Sequence, residues 1–154
     1  VVDVRAAPGS RRHPHVARTR LASWLPEAGV SYRWEPRLGG WRRALPDSPN
    51  QGLAHPSFRG YADWMASEAF AAALDDLLAE AGVRPTAAMC SEALWWRCHR
   101  RLLADAAVLV HGMAVAHLAH DGALASHHPT DEATLATPPG AARPVVRYPR
   151  RAPG

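Results

Sequence analysis

Thr86-Ala87-Ala88-Met89-Cys90-Ser91-Glu92-Ala93-Leu94-Trp95-Trp96-Arg97-Cys98-His99-Arg100 is the stretch on which the fold turns. Thr86 to Cys90 is a short, mostly apolar run and reads as a strand. Trp96 to about Val110 carries apolar residues at helical spacing, and Gly112 follows as its stop. A strand that leads into a helix is half of a β-α-β unit. This reading places Cys90 at the end of a strand and Cys98, His99 and Arg100 in the first turn of the helix after it.

Upstream, Ser67 caps a helix running to about Ala81, with Phe70, Leu74, Leu77 and Leu78 on one face and Gly82 at its end. Phe58 to Met65 reads as a short aromatic helix. Before it, Pro36 to Pro56 is long and irregular, with Gly39-Gly40 and Arg37, Arg42 and Arg43. A loop of that length in a compact domain is functional or disordered. Val30 to Trp34 reads as a strand, and Val16 to Ala28 as a helix weakened by Pro26 and ended by Gly29. Val1 to Val4 opens the chain as a buried strand. Downstream, Met113 to Leu118 reads as a fourth strand.

Strand and helix thus alternate, which predicts an α/β fold: a small parallel sheet with helices on both faces, in three layers. The expected domain is 1–134, and residues 135–154, rich in Pro, Ala and Arg, are expected to be a disordered basic tail. Ligands of such sheets sit at the carboxyl ends of the strands. Arg5, the segment from Cys90 to Arg100, and His117 to His120 fall there.

Apolar residues make up 47% of the 154, enough for a core. No run approaches about 18 apolar residues, so no membrane contact is expected. The start, Val1-Val2-Asp3-Val4-Arg5, lacks the charged leader and apolar run of a signal peptide. Two cysteines are too few for a secreted disulfide scaffold, which points to a reducing, cytoplasmic setting. The net charge is +4, and every basic residue is Arg. Arg suits planar, bidentate contact with phosphate or carboxylate. The partners expected are therefore a small anionic ligand or nucleic acid.

The residues that carry chemistry are Cys90, Glu92, Cys98 and His99, expected as the catalytic group, with Arg5, Arg11, Arg97 and Arg100 to bind an anion. A helix start presents free N–H groups and a positive dipole end, which suit an anion or a thiolate. Cys98, flanked there by Arg97, His99 and Arg100, is expected to be the more reactive thiol and Cys90 the slower. Glu92 or His99 would serve as the acid–base group. The leading expectation is an anion-binding enzyme, thiol- or acid/base-dependent, acting on a phosphate- or carboxylate-bearing substrate. The alternative is a nucleotide- or nucleic-acid-binding module, with the arginines gathered beside Trp41 and Trp96 for stacking. A metal site from Cys90, Cys98, His99 and His117 is set aside, because the eight-residue cysteine spacing is not that of a usual structural zinc pair. The sequence names no cofactor.

The same residues resemble a family. Cys90-x-Glu92, then Cys98-His99-Arg100, is similar to the recurring motif of the bacterial domain of unknown function 488. Val2-Asp3-Val4-Arg5 followed by Pro8 and Ser10-Arg11-Arg12 resembles its first block. Leu38-Gly39-Gly40 resembles its Leu-Gly-Gly turn, and Phe58 to Met65 its Gly-Tyr-Ala-Asp helix. His117, Asp121-Gly122 and His128 resemble its closing strand and turn, so the resemblance runs from Val1 to Thr134. The family's usual opening strand, ending Thr-Ile-Gly-His-Ser, has no counterpart here. The resemblance implies an uncharacterised bacterial α/β protein and assigns no reaction.

Overall fold

Three strands of the computed structural model, which describes residues 1–151, lie parallel in the order β2-β1-β3. They are β1 (Val2–Asp3), β2 (Arg33–Trp34) and β3 (Ala88–Met89). Val2 faces Arg33 on one side and Ala88 on the other, and Asp3 faces Trp34 and Met89. Alternation along β1 decides which side chain goes where. Val2 and Val4 enter the apolar core, both essentially inaccessible. Asp3 points the other way and is equally buried, so its charge must be met locally. Arg5 answers it with two guanidinium contacts, and the Tyr32 hydroxyl donates a third hydrogen bond at 2.7 Å.

Four helices complete the α/β architecture: α1 (Arg18–Glu27), α2 (Pro56–Trp64), α3 (Glu68–Val83) and α4 (Arg100–Leu109). Their ends follow local chemistry. Ser67 accepts from the Phe70 N–H at 3.2 Å and caps α3. Pro56 opens α2, where a missing N–H costs nothing. Gly29, at φ 75°, turns the chain out of α1. Phe70, Leu74 and Leu77 of α3 pack with Leu102, Leu103 and Ala106 of α4, Tyr61 of α2 and the valines of β1 in one core. No helix among the described residues is long and apolar enough to cross a membrane.

Three expectations are corrected. First, the segment around Met113 to Leu118 does not join the parallel sheet. Ala116–Leu118 (β4) pairs antiparallel with Leu124–Ser126 (β5), because Asp121-Gly122 reverses the chain at once, with Gly122 at φ 87°. Second, the helix expected from Trp96 begins only at Arg100. Trp95–Arg97 forms a separate 3₁₀ turn, and Cys98 is extended (φ −118°, ψ 151°) between the two. Third, the expected disordered tail, 135–154, is ordered over its described residues, 135–151. Thr134–Ala136 (β6) pairs with Val145–Arg147 (β7), and Val146 and Tyr148 are buried in the core. Arg143 forms a bidentate pair with Asp75 of α3 at 2.7 and 2.8 Å. Only the last three positions of that segment, 152–154, lie outside the described residues.

The irregular stretch from Pro36 to Pro56 is organised by one carboxylate. Asp63 of α2 accepts from the Leu45 N–H at 2.9 Å, the Ser48 hydroxyl at 2.7 Å and the Asn50 amide at 2.8 Å. Gly60, one turn earlier, lets the loop lie against the helix. A Cβ there would stand 2.1 Å from the Arg42 carbonyl oxygen.

Candidate thiol and imidazole site

β1 and β3 run side by side, so their carboxyl ends bring Val4 and Cys90 close together, and the lead-in to α4 adds Cys98 and His99. The donor atoms of Cys90, Cys98 and His99 all lie within 4.8 Å of one another. His99 Nδ1 is 3.6 Å from the Cys98 sulfur and 3.9 Å from that of Cys90. On its other side, Nε2 is 3.1 Å from the Val4 carbonyl oxygen. A carbonyl can only accept, so Nε2 carries the proton there. In the neutral ring this leaves the Nδ1 lone pair facing the two sulfurs.

The ring is held from two further directions. Tyr61, fully buried, packs against it with centroids 4.9 Å apart, and anchors its own hydroxyl on the Leu38 carbonyl at 2.9 Å. Burial pushes the Tyr61 phenol well above its ordinary value. Gly40 leaves room for the imidazole. A Cβ at that position would sit 2.9 Å from Nδ1. Gly40 of the Leu-Gly-Gly turn and Tyr61 of the Gly-Tyr-Ala-Asp helix thus both bear on His99.

The two thiols differ. Cys98 is buried, while Cys90 is half-buried. Cys90 is held far below the ordinary thiol range, first by the Cys98 thiol as hydrogen-bond donor, then by His99 and by the Glu92 backbone N–H, against the opposing effect of burial. Cys98 is pushed up, first by that same hydrogen bond to Cys90 and then by burial. Of the two, Cys90 is thus the one whose surroundings favour the thiolate, where the sequence pointed to Cys98. Cys98 receives the Arg100 backbone N–H at 3.5 Å and its Nε at 3.4 Å.

A cavity of about 420 Å³ opens over the cluster. Arg5, Cys90, Glu92, Arg97, Cys98 and His99 all line it, so six of the eight expected site residues share it. Arg5 enters with its charge already matched by Asp3. Arg100 stands behind, its guanidinium on the Cys98 sulfur and the Glu92 carbonyl. Arg11 lies in an exposed bend and does not line the cavity. Two exposed tryptophans, Trp41 and Trp96, stand at its wall, and Trp41 holds the left-handed conformation at φ 62°, rare for a bulky residue. A smaller cavity of about 300 Å³ lies under the opposite strand ends, around Val1, Arg33 and Glu80. None of its described lining residues is a cysteine or a histidine.

Sequence reasoning missed a second polar cluster. Asp105 of α4, fully buried, accepts from His127 Nε2 at 2.8 Å, the Thr130 N–H at 2.9 Å, the Thr130 hydroxyl at 2.7 Å and the Tyr148 hydroxyl at 2.8 Å. His127 Nδ1 in turn meets His117 Nε2 at 2.8 Å. His117 stacks flat on Trp95 with centroids 3.7 Å apart. An Asp inside an otherwise apolar helical face was the available sequence signal, since a buried carboxylate needs donors from elsewhere in the chain.

A parallel α/β sheet with a thiol and imidazole cluster at its strand carboxyl ends defines the class of protein. Within it, the family model of the domain of unknown function DUF488 matches residues 1–107, and the chain belongs to that family. The match ends before His117 and the β4-β5 turn, so the resemblance of those later residues lies outside it. No curated protein and no solved structure matches the chain.

Proposed function

We propose that the cavity binds a small phosphate- or carboxylate-bearing molecule and that Cys90 attacks it as a nucleophile. The single observation that carries this reading is the convergence of two sulfurs and one imidazole on a cavity wall that also bears Arg97. Before the step the Cys90 proton rests on His99 Nδ1, so the sulfur attacks as a thiolate and bonds to the electrophilic carbon or phosphorus of the substrate. The leaving group departs with that proton, and water later releases the acyl or phosphoryl group from sulfur. Cys98 donates to the attacking sulfur and positions it. Glu92, exposed at the rim, is the second acid–base group, and Arg97 holds the anion.

The test is a timed alkylation with iodoacetamide at pH 7, read by mass spectrometry on the folded, reduced chain. Cys90 is expected to label faster than free cysteine and Cys98 far more slowly, with Cys90→Ser removing the fast phase. Slow labelling of both thiols would sink the nucleophile. The anion is tested separately. Millimolar phosphate is expected to raise the melting temperature by mass action, and Arg97→Ala to remove that rise.

A second reading, binding of a nucleotide or nucleic acid, is favoured by Trp41 and Trp96, whose exposed rings flank the same cavity as Arg97. Stacked bases would quench their fluorescence, and Trp41→Ala would weaken binding about 5- to 150-fold, the range for loss of one stacking partner.

A further inference from the structure

We propose that Cys90, Cys98 and His99 form a zinc site of their own, and that zinc bound there silences the thiol; the second half rests on the reading of Cys90 as nucleophile. Zinc bonds sulfur at about 2.3 Å and nitrogen at about 2.0–2.1 Å, so a tetrahedral site has sulfur-to-nitrogen edges of about 3.6 Å. The corresponding distances are 3.6 Å from Cys98 and 3.9 Å from Cys90. Two edges of such a site therefore already stand near their tetrahedral lengths, and all three donor atoms lie within 4.8 Å of one another.

The surroundings fit the same role. A ligating histidine characteristically donates its second ring N–H to a carbonyl or carboxylate, which fixes the tautomer and aims the lone pair. His99 does this through Nε2 to the Val4 carbonyl. Metal-bound sulfur carries negative charge that needs N–H donors. Cys98 has the Arg100 backbone N–H and its guanidinium Nε. Two thiolates balance the charge of a divalent ion, and soft sulfur selects zinc over magnesium or calcium. All three residues line the cavity, so the fourth vertex faces it, where water or a donor atom of a ligand completes the shell. The eight-residue cysteine spacing fits this open geometry. Its ligands come from a strand end and a helix lead-in rather than from one tight knuckle.

The experiment uses the full chain, reduced and stripped with a chelator. Cobalt(II) is added first as an optical stand-in. A single equivalent is expected to give the visible bands of tetrahedral cobalt and a near-ultraviolet thiolate-to-cobalt band, with zinc displacing it and magnesium leaving it unchanged. Cys90→Ser is expected to weaken cobalt binding at least tenfold. The alkylation assay is then repeated on the unaltered protein, which avoids any variant that fails to fold. One equivalent of zinc is expected to slow Cys90 labelling at least tenfold, and chelator to restore it. Fast labelling that zinc does not change, with no thiolate-to-cobalt band, would overturn the zinc site and leave the nucleophile standing. Slow labelling without metal, together with the cobalt bands, would overturn the nucleophile and support the zinc site.

Discussion

Gly40 sets how closely the chain approaches the His99 ring. In Gly40→Ala the new Cβ meets the imidazole at 2.9 Å, and a side-chain ring can move where a backbone cannot. The expected outcome is a folded protein, destabilised by about 1 kcal/mol at the low end of overpacking costs, whose Cys90 labelling slows several-fold because Nδ1 no longer faces the sulfurs. Gly60→Ala is expected to behave differently. Its Cβ meets the Arg42 carbonyl at 2.1 Å, backbone against backbone, and about 3 kcal/mol or more of stability is expected to go. Chemical denaturation of both variants, beside the alkylation assay, checks the contrast. Cys90, Glu92, Cys98 and His99 were legible in the sequence as one group, because a strand end and the segment before a helix must meet. How far each sulfur is exposed was not. The dipole argument weighed only neighbours along the chain, while Cys90 and Cys98 meet only in space, the first half-buried and the second buried.

At the scale of elements, two carboxylates tie segments that have little regular structure. Asp63→Ala removes three acceptor contacts from the loop between Leu45 and Asn50. At about 1.5–3 kcal/mol for a hydrogen bond to a charged group, with losses shared in one network, a cost of about 2–4 kcal/mol is expected in a denaturant titration. Tyr148→Phe takes one donor from the buried Asp105 and is expected to cost about 1–3 kcal/mol. No change would mean that water replaces the hydroxyl. Patterning found all four helices and the three parallel strands, since the apolar spacing of Phe70 to Leu78 or of Val2 and Val4 reports burial directly. It failed on the chain after residue 134. There the Tyr148 backbone is held by the Asn50 side chain at 2.9 Å and by the Gly52 N–H at 2.8 Å. A three-residue strand whose following residue is anchored about a hundred positions away leaves no periodic trace.

For the whole molecule, His117 makes stability depend on acid. It is held down to about 4, first by burial, then by repulsion from His127 and Arg100, with Asp105 opposing. Its ordinary value is 6.5. Between the two, the unfolded chain binds a proton that the folded chain refuses, so stability falls as pH drops through that window and is fully present above it. Solvent screening at this partly exposed ring reduces the size of the effect. Melting temperatures from pH 7 to pH 4 are expected to decline, and His117→Gln is expected to flatten the slope between pH 6 and 4.5. An unchanged slope would assign the dependence to other groups.

The hydrogen bond from His99 to Val4 joins the imidazole to the end of the middle strand of the sheet. The Val4 amide is itself bonded to Met89 on β3, at 2.9 Å. Whatever grips the imidazole therefore pulls on a peptide plane at the centre of the scaffold. The cavity has no private melting point. Loss of its geometry and loss of the sheet should be one cooperative event, and occupancy of the site should register as slower amide exchange at Val4, well behind the surface that a ligand touches.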